Sequence, residues 1–213
     1  MKVTSVSRYK GTTFQVELDD SRKLYLHIDI ISDFSVRTGM EIERDELKKI
    51  IYASNFHRAY QRGLHLLDYR DYSSAEMLDK LIETYKSENL CRAVVKKLTD
   101  NGLINDERFA ERMARKLVEA KKYGHRRAKR EIMQKGISEF TAEDALAAYS
   151  EVYAENLMEL LKTRHSHLLA DADDRKSVEK AKNALVRYGY EFSEINLAVK
   201  EYFENINENE EDI

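Results

Sequence analysis

The feature that most constrains this chain is a ten-residue pattern that occurs twice, 53 residues apart. Ala128-Lys129-x-x-Ile132-x-x-x-Gly136-Ile137 returns as Ala181-Lys182-x-x-Leu185-x-x-x-Gly189-Tyr190. Each copy reads as a helix closed by glycine, which accepts the left-handed backbone of a helix C-terminus without steric cost. A short linker follows, then Thr141 or Ser193 as the N-cap of another apolar-periodic helix. A fainter third copy lies 51 residues upstream at Ser73-x-x-Glu76-Met77-Leu78-x-x-Leu81, with Tyr85 where the glycine would fall. Self-similarity at this period predicts a stacked helical array, against the alternative of a chance recurrence of helix–glycine–helix turns.

Composition favours helix as well. The 213 residues include no proline and seven glycines, and 35% are charged, a mixture that helix interiors tolerate. With 42% hydrophobic residues in regular periodicity, most of the chain has the means to fold. No apolar run approaches the roughly 20 residues that span a bilayer. The start, MKVTSVSRYKG, lacks the apolar core of a secretory signal. A single cysteine, Cys91, has no internal disulfide partner. A cytoplasmic protein without membrane contact is expected.

Strand periodicity is confined to the first 30 residues. Phe14, Val16 and Leu18 alternate with polar residues, as do Leu24, Leu26, Ile28 and Ile30, around a turn at Asp19-Asp20-Ser21-Arg22. A hairpin follows, with residues 2–9 as a candidate third strand. From about residue 43 the period becomes 3.6: Leu47, Ile50, Ile51, Ala59, Tyr60, Leu64 and Leu67 give one long or broken helix. Ser73-Ser74-Ala75-Glu76 is a capping box, Asp106 is a candidate N-cap, and a break is expected near residue 150. The stretch from His165 to Asp174 reads as a loop. The fold class predicted is mainly all-α: an elongated array of three tandem three-helix repeats behind a small N-terminal β-hairpin. The divisions are 1–42 (hairpin), 43–101, 102–150 and 151–205 (repeats), and 206–213 (acidic disordered tail).

A net charge of −3 conceals a strong segregation. From Arg108 to Lys135 stand eleven basic residues against Glu111, Glu119 and Glu131, whereas no base follows Lys200. Such asymmetry reports on partners. The candidate contact residues are Arg112, Arg115, Lys116, Lys121, Lys122, Tyr123, Arg126, Arg127, Lys129, Arg130 and Lys135. Well-placed cations are all that phosphate contact requires; a solvated helix face is the bland alternative. Four of them, Arg126, Arg127, Lys129 and Arg130, share one short helix over 125–135.

Other chemistry is poorly supported. His57, His65, His125, His165 and His167 lack ligand spacing, since side chains two apart do not meet on a helix. Cys91 lies in an apolar stripe, as a structural thiol does. No glycine-rich phosphate loop or nucleophile–base arrangement occurs. An enzyme is not expected, nor any cofactor or metal. Among the tyrosines, Tyr149, Tyr153, Tyr188 and Tyr202 fall at core-facing positions; Tyr9, Tyr72 and Tyr123 are open to stacking on a partner.

Leu64-x-x-Leu67-x-x-Arg70-x-x-Ser73-x-x-Glu76-x-Leu78-x-x-Leu81 is similar to the first repeat of the RecX regulatory proteins. Gly102-Leu103-Ile104-Asn105-Asp106-Glu107-Arg108-Phe109-Ala110 resembles the opening of the second, and Gly124-x-x-Arg127-x-x-Arg130-Glu131-Ile132 its continuation. Leu185-x-x-x-Gly189-Tyr190 with Ile195 fits the third. The resemblance covers residues 57–205; Asn105 and Gly63 depart from the common aspartate and alanine. It implies a non-enzymatic modulator that lodges in the groove of the RecA–DNA filament and damps strand exchange, ATP hydrolysis and co-protease activity in DNA repair and the SOS response. The partners implied are RecA and DNA, and the array has no need of self-association. Two other classes compete. One is a helix-turn-helix DNA-binding protein using helix 125–135, although that helix bristles with long cations and lacks the mixture of Asn, Gln and Ser that reads base edges. The other is a helical adaptor with no link to DNA.

Overall fold

A computed structural model describes the backbone of residues 1–211 and side chains as far as residue 206. Two compact units emerge: residues 1–71 with 77–104, and residues 72–76 with 105–213. Among the described residues, no helix is long and apolar enough to cross a membrane.

The first unit opens with an antiparallel sheet of β1 (Val3–Lys10), β2 (Thr13–Leu18) and β3 (Lys23–His27), in that spatial order. The expected hairpin is β2–β3, turning at Asp19–Arg22, and the third strand is present. Alternation buries Val3, Val16, Leu18 and Leu26 on one face, over Leu47 and Ile50. The second strand run stops earlier than its alternation suggests. His27 Nδ1 accepts from the Asp29 amide at 3.3 Å and caps a short helix, α1 (Ile28–Asp33). Asp29 also places negative charge at that helix's positive end. Ile30 is accordingly buried while Ile28 is exposed.

One unbroken helix, α2 (Arg44–Leu67), serves two cores, being about 36 Å long at 1.5 Å per residue. Its first half covers the sheet; its second buries Ala59, Gly63 and Leu66 and packs on α4 (Glu88–Asp100). The buried seam thus runs one residue before the expected Leu64 and Leu67, which are only half-buried. A Cβ on Gly63 would stand 2.7 Å from Leu98 Cδ1, so the glycine lets the two helices approach. Met77 and Leu81 of α3 (Ser74–Tyr85) are fully buried, as are Cys91, Val94 and Leu98 of α4.

The second unit holds α5 (Asp106–Arg115), α6 (His125–Met133), α7 (Glu139–Ala147), α8 (Val152–Leu160), α9 (Arg175–Tyr188) and α10 (Phe192–Glu211). Its core gathers Ala110, Ala114, Leu117, Ala128, Ile132, Leu146, Leu157, Ala181, Leu185 and Ile195. The break expected near residue 150 separates α7 from α8. Of the expected loop over 165–174, the first residues are instead wound into a π turn (Leu161–His165) and a 3-10 turn (Ser166–Leu168). Three N-caps differ from expectation. Asn105, not Asp106, accepts from the Arg108 amide at 2.6 Å, and the Asp106 carboxylate instead receives the Ser74 amide. Ser138 caps α7 by accepting from Thr141, which lies inside the first turn. Glu191 precedes α10, where Glu194 accepts its amide at 2.7 Å, leaving Ser193 within the helix. Helix α10 runs on to Glu211, past the expected break at 205; the side chains beyond 206 and the final two residues of the expected disordered tail lie outside the described residues.

The two glycines of the repeated pattern both end their helices with positive φ, 76° at Gly136 and 97° at Gly189. Each also docks on the start of another helix. A Cβ on Gly136 would fall 2.2 Å from Ala75 Cβ, and the preceding carbonyl, of Lys135, accepts from the Ser73 hydroxyl. A Cβ on Gly189 would fall 2.4 Å from Arg127 Cβ, and the preceding carbonyl, of Tyr188, accepts from the Gly124 amide at 2.9 Å. Gly189 itself accepts from the Arg126 amide at 3.2 Å. Gly124 has ordinary φ but no room: a Cβ there would lie 2.6 Å from the Gly189 carbonyl carbon. Beside this contact, α5 continues into a π turn (Lys116–Ala120), whose Val118 carbonyl receives the buried Asn156 side chain at 3.0 Å.

Gly124→Ala should lower unfolding free energy by about 1–3 kcal/mol through overpacking. Gly39→Ala is its control: that glycine has φ of 88° with open space around it, so its cost should be the backbone strain alone, about 1–2 kcal/mol. Urea unfolding checks both, and an unchanged midpoint for Gly124→Ala would contradict the docking. Asn156→Leu should cost about 1–3 kcal/mol in the same assay, because the Val118 carbonyl is left buried without its donor.

Candidate functional site

The basic segment divides into cations held inside the molecule and cations left to solvent. Burial of Ala128 and Ile132 fixes the inward side of α6. Lys129, 24% exposed, meets Glu139 and Glu143 of α7, each at 2.6 Å. These two hydrogen-bonded carboxylates, Glu139 first, raise the Lys129 pKa, and Lys129 followed by His125 lowers that of Glu143. Lys135 reaches Glu76 at 3.0 Å, Lys122 reaches Glu159 at 2.9 Å, and Arg126 reaches Glu191 at 3.0 Å. Arg127 lies 3.8 Å from the Tyr123 ring centroid, donates to the Arg187 carbonyl, and stands 3.6 Å from Glu131. Lys121 Nζ lies 5.3 Å from the centroid of the same ring.

Of the eleven nominated residues, Arg115, Lys116 and Arg130 are exposed and, among the described residues, have no ionic, hydrogen-bonding or ring partner for their side chains, whereas Lys121, also exposed, has only the Tyr123 ring. Arg112 is exposed too. Arg115, Lys116 and Arg130 can meet phosphate or carboxylate without first breaking an internal pair. Arg126 keeps 67% of its side chain exposed, so its pair is a weak, screened one that a partner can replace. Lys129 and Lys135 act chiefly as internal ties.

An aromatic cluster joins this region. Tyr123 and Tyr188 meet edge to face at 5.9 Å, and Arg164 donates to the Tyr188 hydroxyl at 2.5 Å. Tyr188 and Tyr149 are half-buried, unlike Tyr153 and Tyr202, which are buried as expected. Arg164 escaped the sequence reading because it falls in the ambiguous polar stretch. Its one signal was local, a cation among bases at the end of a helix. Tyr9 packs on Tyr25 at 4.8 Å and remains 63% exposed.

Elsewhere, the chemistry is structural. Cys91 is fully buried, and burial pushes its thiol pKa up. His27, Asp29 and His57 bring their ligand-type atoms within 4.8 Å of one another, a grouping that the sequence spacing concealed. The imidazoles are stacked, 4.3 Å apart and 23° from parallel, so their in-plane lone pairs run side by side and do not converge on one ion. His27 Nδ1 is also occupied in capping α1.

Comparison with known proteins agrees with these two sets of helices. Residues 59–98 match the family model of the RecX first three-helix domain, and residues 105–146 that of the second three-helix domain. A regulatory protein RecX of Bacillus velezensis is 28% identical over 98% of this chain and 80% of its own length. One from Clostridioides difficile is 25% identical over 89% of this chain and 90% of its own. A crystal structure of a regulatory protein RecX shares the fold with a TM-score of 0.75 at 23% identity, covering 92% of this chain and 98% of that one. RecX from Lactobacillus salivarius aligns with a TM-score of 0.65 at 27% identity, over 70% of this chain and 97% of that one. The paired three-helix domains, their order along the chain and these relatives establish that the chain belongs to the RecX family of regulatory proteins.

Proposed function

We propose that the chain is a non-enzymatic regulator that binds the RecA–DNA filament and damps its ATPase, strand exchange and co-protease activity. The reading rests on family membership and on one observation of this molecule: exposed, unpaired cations, Arg115, Lys116 and Arg130, on the second three-helix domain. Set among exposed Arg112 and Arg126, they suit a surface of DNA phosphate or protein carboxylate, where contact orients the ligand without reading sequence. The regulator acts as a monomer in the cytoplasm and needs no cofactor. A free-standing helix-turn-helix reading is less favoured, because two of the four cations of α6, Arg127 and Lys129, are half-buried and turned to internal partners.

RecA ATP hydrolysis on single-stranded DNA, with this protein substoichiometric to RecA, tests the function. The expected result is a lowered rate; an unchanged rate would overturn the reading. The triple variant Arg115→Ala/Lys116→Ala/Arg130→Ala should weaken inhibition while unfolding at the parent's midpoint. Its binding should also lose salt dependence, by about 0.7 in log–log slope for each single-strand phosphate contact removed. Potency and slope equal to the parent's would show that the contact lies elsewhere. Lys129→Ala should behave oppositely, shifting stability more than potency, since it removes an internal tie.

A further inference from the structure

The first unit carries a cleft of its own, between α2 and the turn that joins α3 to α4. A space of ≈ 470 Å³ is lined there by Lys48, Tyr52, Asn55, Arg58, Thr84 and Ser87 among others. Through shared Ile51, Asn55 and Arg58 it continues into a smaller space of ≈ 180 Å³ between α2 and β3, bordered by Lys23, Tyr25 and Ser54. The larger space lies within the roughly 300–1,000 Å³ of ordinary ligand sites, and the smaller holds only a compact group.

Among the described residues, no acidic side chain lines either space. Arg58 is exposed, donates to the Tyr25 carbonyl and has no carboxylate partner among the described residues. Arg58 and Arg62 both act on the Tyr85 hydroxyl at the cleft: burial pushes its pKa up, and their charges pull against that shift. Lys48 is held by Asp45 at 2.8 Å and Lys23 by Glu17 at 3.1 Å, through largely exposed pairs that are weak in water. Ser54 supplies the independent observation. It is 5% exposed and lines the smaller space. Among the described residues its hydroxyl makes no hydrogen bond, yet it is not sealed off, and what solvent reaches of Ser54 lies on this space. A hydroxyl so deeply set and unpaired is costly, and it marks a place built to meet another polar group.

A compact space with a guanidinium, a lysine and a free hydroxyl on its border suits a phosphate, which takes several charge-assisted hydrogen bonds at once. Next to it, in the larger space, the Tyr52 ring is 50% exposed, and a base stacks on such a free aromatic face. Half-buried Asn55 has no side-chain partner among the described residues and offers both donor and acceptor to the edge of a base. We propose that this cleft binds a nucleoside phosphate. The phosphate occupies the smaller space and accepts from Arg58 and the Ser54 hydroxyl; the base lies in the larger space against Tyr52, with its edge toward Asn55. None of these residues belongs to the exposed cations of α5 and α6, and the site does not depend on the RecA reading.

Isothermal titration calorimetry of the full chain with AMP, with neither RecA nor DNA present, tests it. One saturable site is expected, and adenosine and inorganic phosphate should each bind at least about tenfold more weakly, since each forfeits one half of the contacts. Arg58→Gln and Tyr52→Ala alter exposed side chains and should weaken AMP by about fivefold or more. Ser54→Ala is the sharper variant: losing a hydroxyl that bonds to nothing in the protein should leave the unfolding midpoint unchanged or raised, while AMP weakens by about fivefold. A single strand of deoxyadenylate, titrated in the same way, separates the two sources of such a ligand. Binding of the strand but not of AMP, weakened by Ser54→Ala and Tyr52→Ala, would uphold the site and place its nucleotide within a strand. Adenosine bound as tightly as AMP, no binding of either AMP or the strand, or variants that bind like the parent would overturn the proposal.

Discussion

Two carbonyl groups, those of Lys135 and Tyr188, set the geometry on which the second unit depends. Each stands just before a glycine at the C-terminal end of a helix, and each accepts a hydrogen bond at the start of a different helix, from the Ser73 hydroxyl or the Gly124 amide. These contacts bring backbone within reach of backbone, and that distance leaves no space for a Cβ at Gly124, Gly136 or Gly189. Helix α6 is consequently pinned at both ends: its first turn lies under Gly189, and the glycine that follows it lies against Ala75. Nearby, the buried Tyr190 donates to the Lys122 carbonyl and secures the loop that leads into it.

Pinning α6 determines what its charges can do. With Ala128 and Ile132 facing the core, Lys129 falls beside α7 and is neutralised there, while Arg130 projects to solvent. Exposed ion pairs such as Arg126–Glu191 contribute little to stability in water, commonly less than about 1 kcal/mol. Their larger consequence is for recognition, because they sort a run of like charges into occupied and available members. The acidic residues are sorted by the same contacts. Glu143 and Glu191 are consumed by the cations of α6, whereas Asp144 has no partner among the described residues and Glu194 accepts only the Glu191 amide. One helix, fixed by two glycine contacts, thus sorts both the cations and the carboxylates around it into paired and unpaired members.

The sequence made the helices legible wherever local rules act alone. The repeated glycines announced helix ends because positive φ is a local requirement, and the β2–β3 turn was visible in its Asp and Ser residues. It did not disclose that those glycines also dock on other helices, since that depends on segments some 60 residues away, as for Gly136 and Ala75. Misplacements have equally specific causes. Ile28 continues the alternation of β3, yet the His27 cap and Asp29 turn the chain into a helix there. Asp106 looked like a cap, but Asn105 has the geometry to accept the Arg108 amide. The basic run was plain as composition, whereas the pairing of Lys129 with Glu139 and Glu143 spans ten and fourteen residues, beyond any helical neighbour rule.

The central claim is that the second three-helix domain presents its unpaired cations to a filament while internal ties hold the rest. Hydrogen–deuterium exchange of the chain, alone and saturated with RecA on single-stranded DNA, addresses this most directly. Added protection should concentrate over residues 106–133, which carry Arg115, Lys116 and Arg130. Protection confined to the N-terminal sheet, or none at all under conditions of demonstrated binding, would contradict the account.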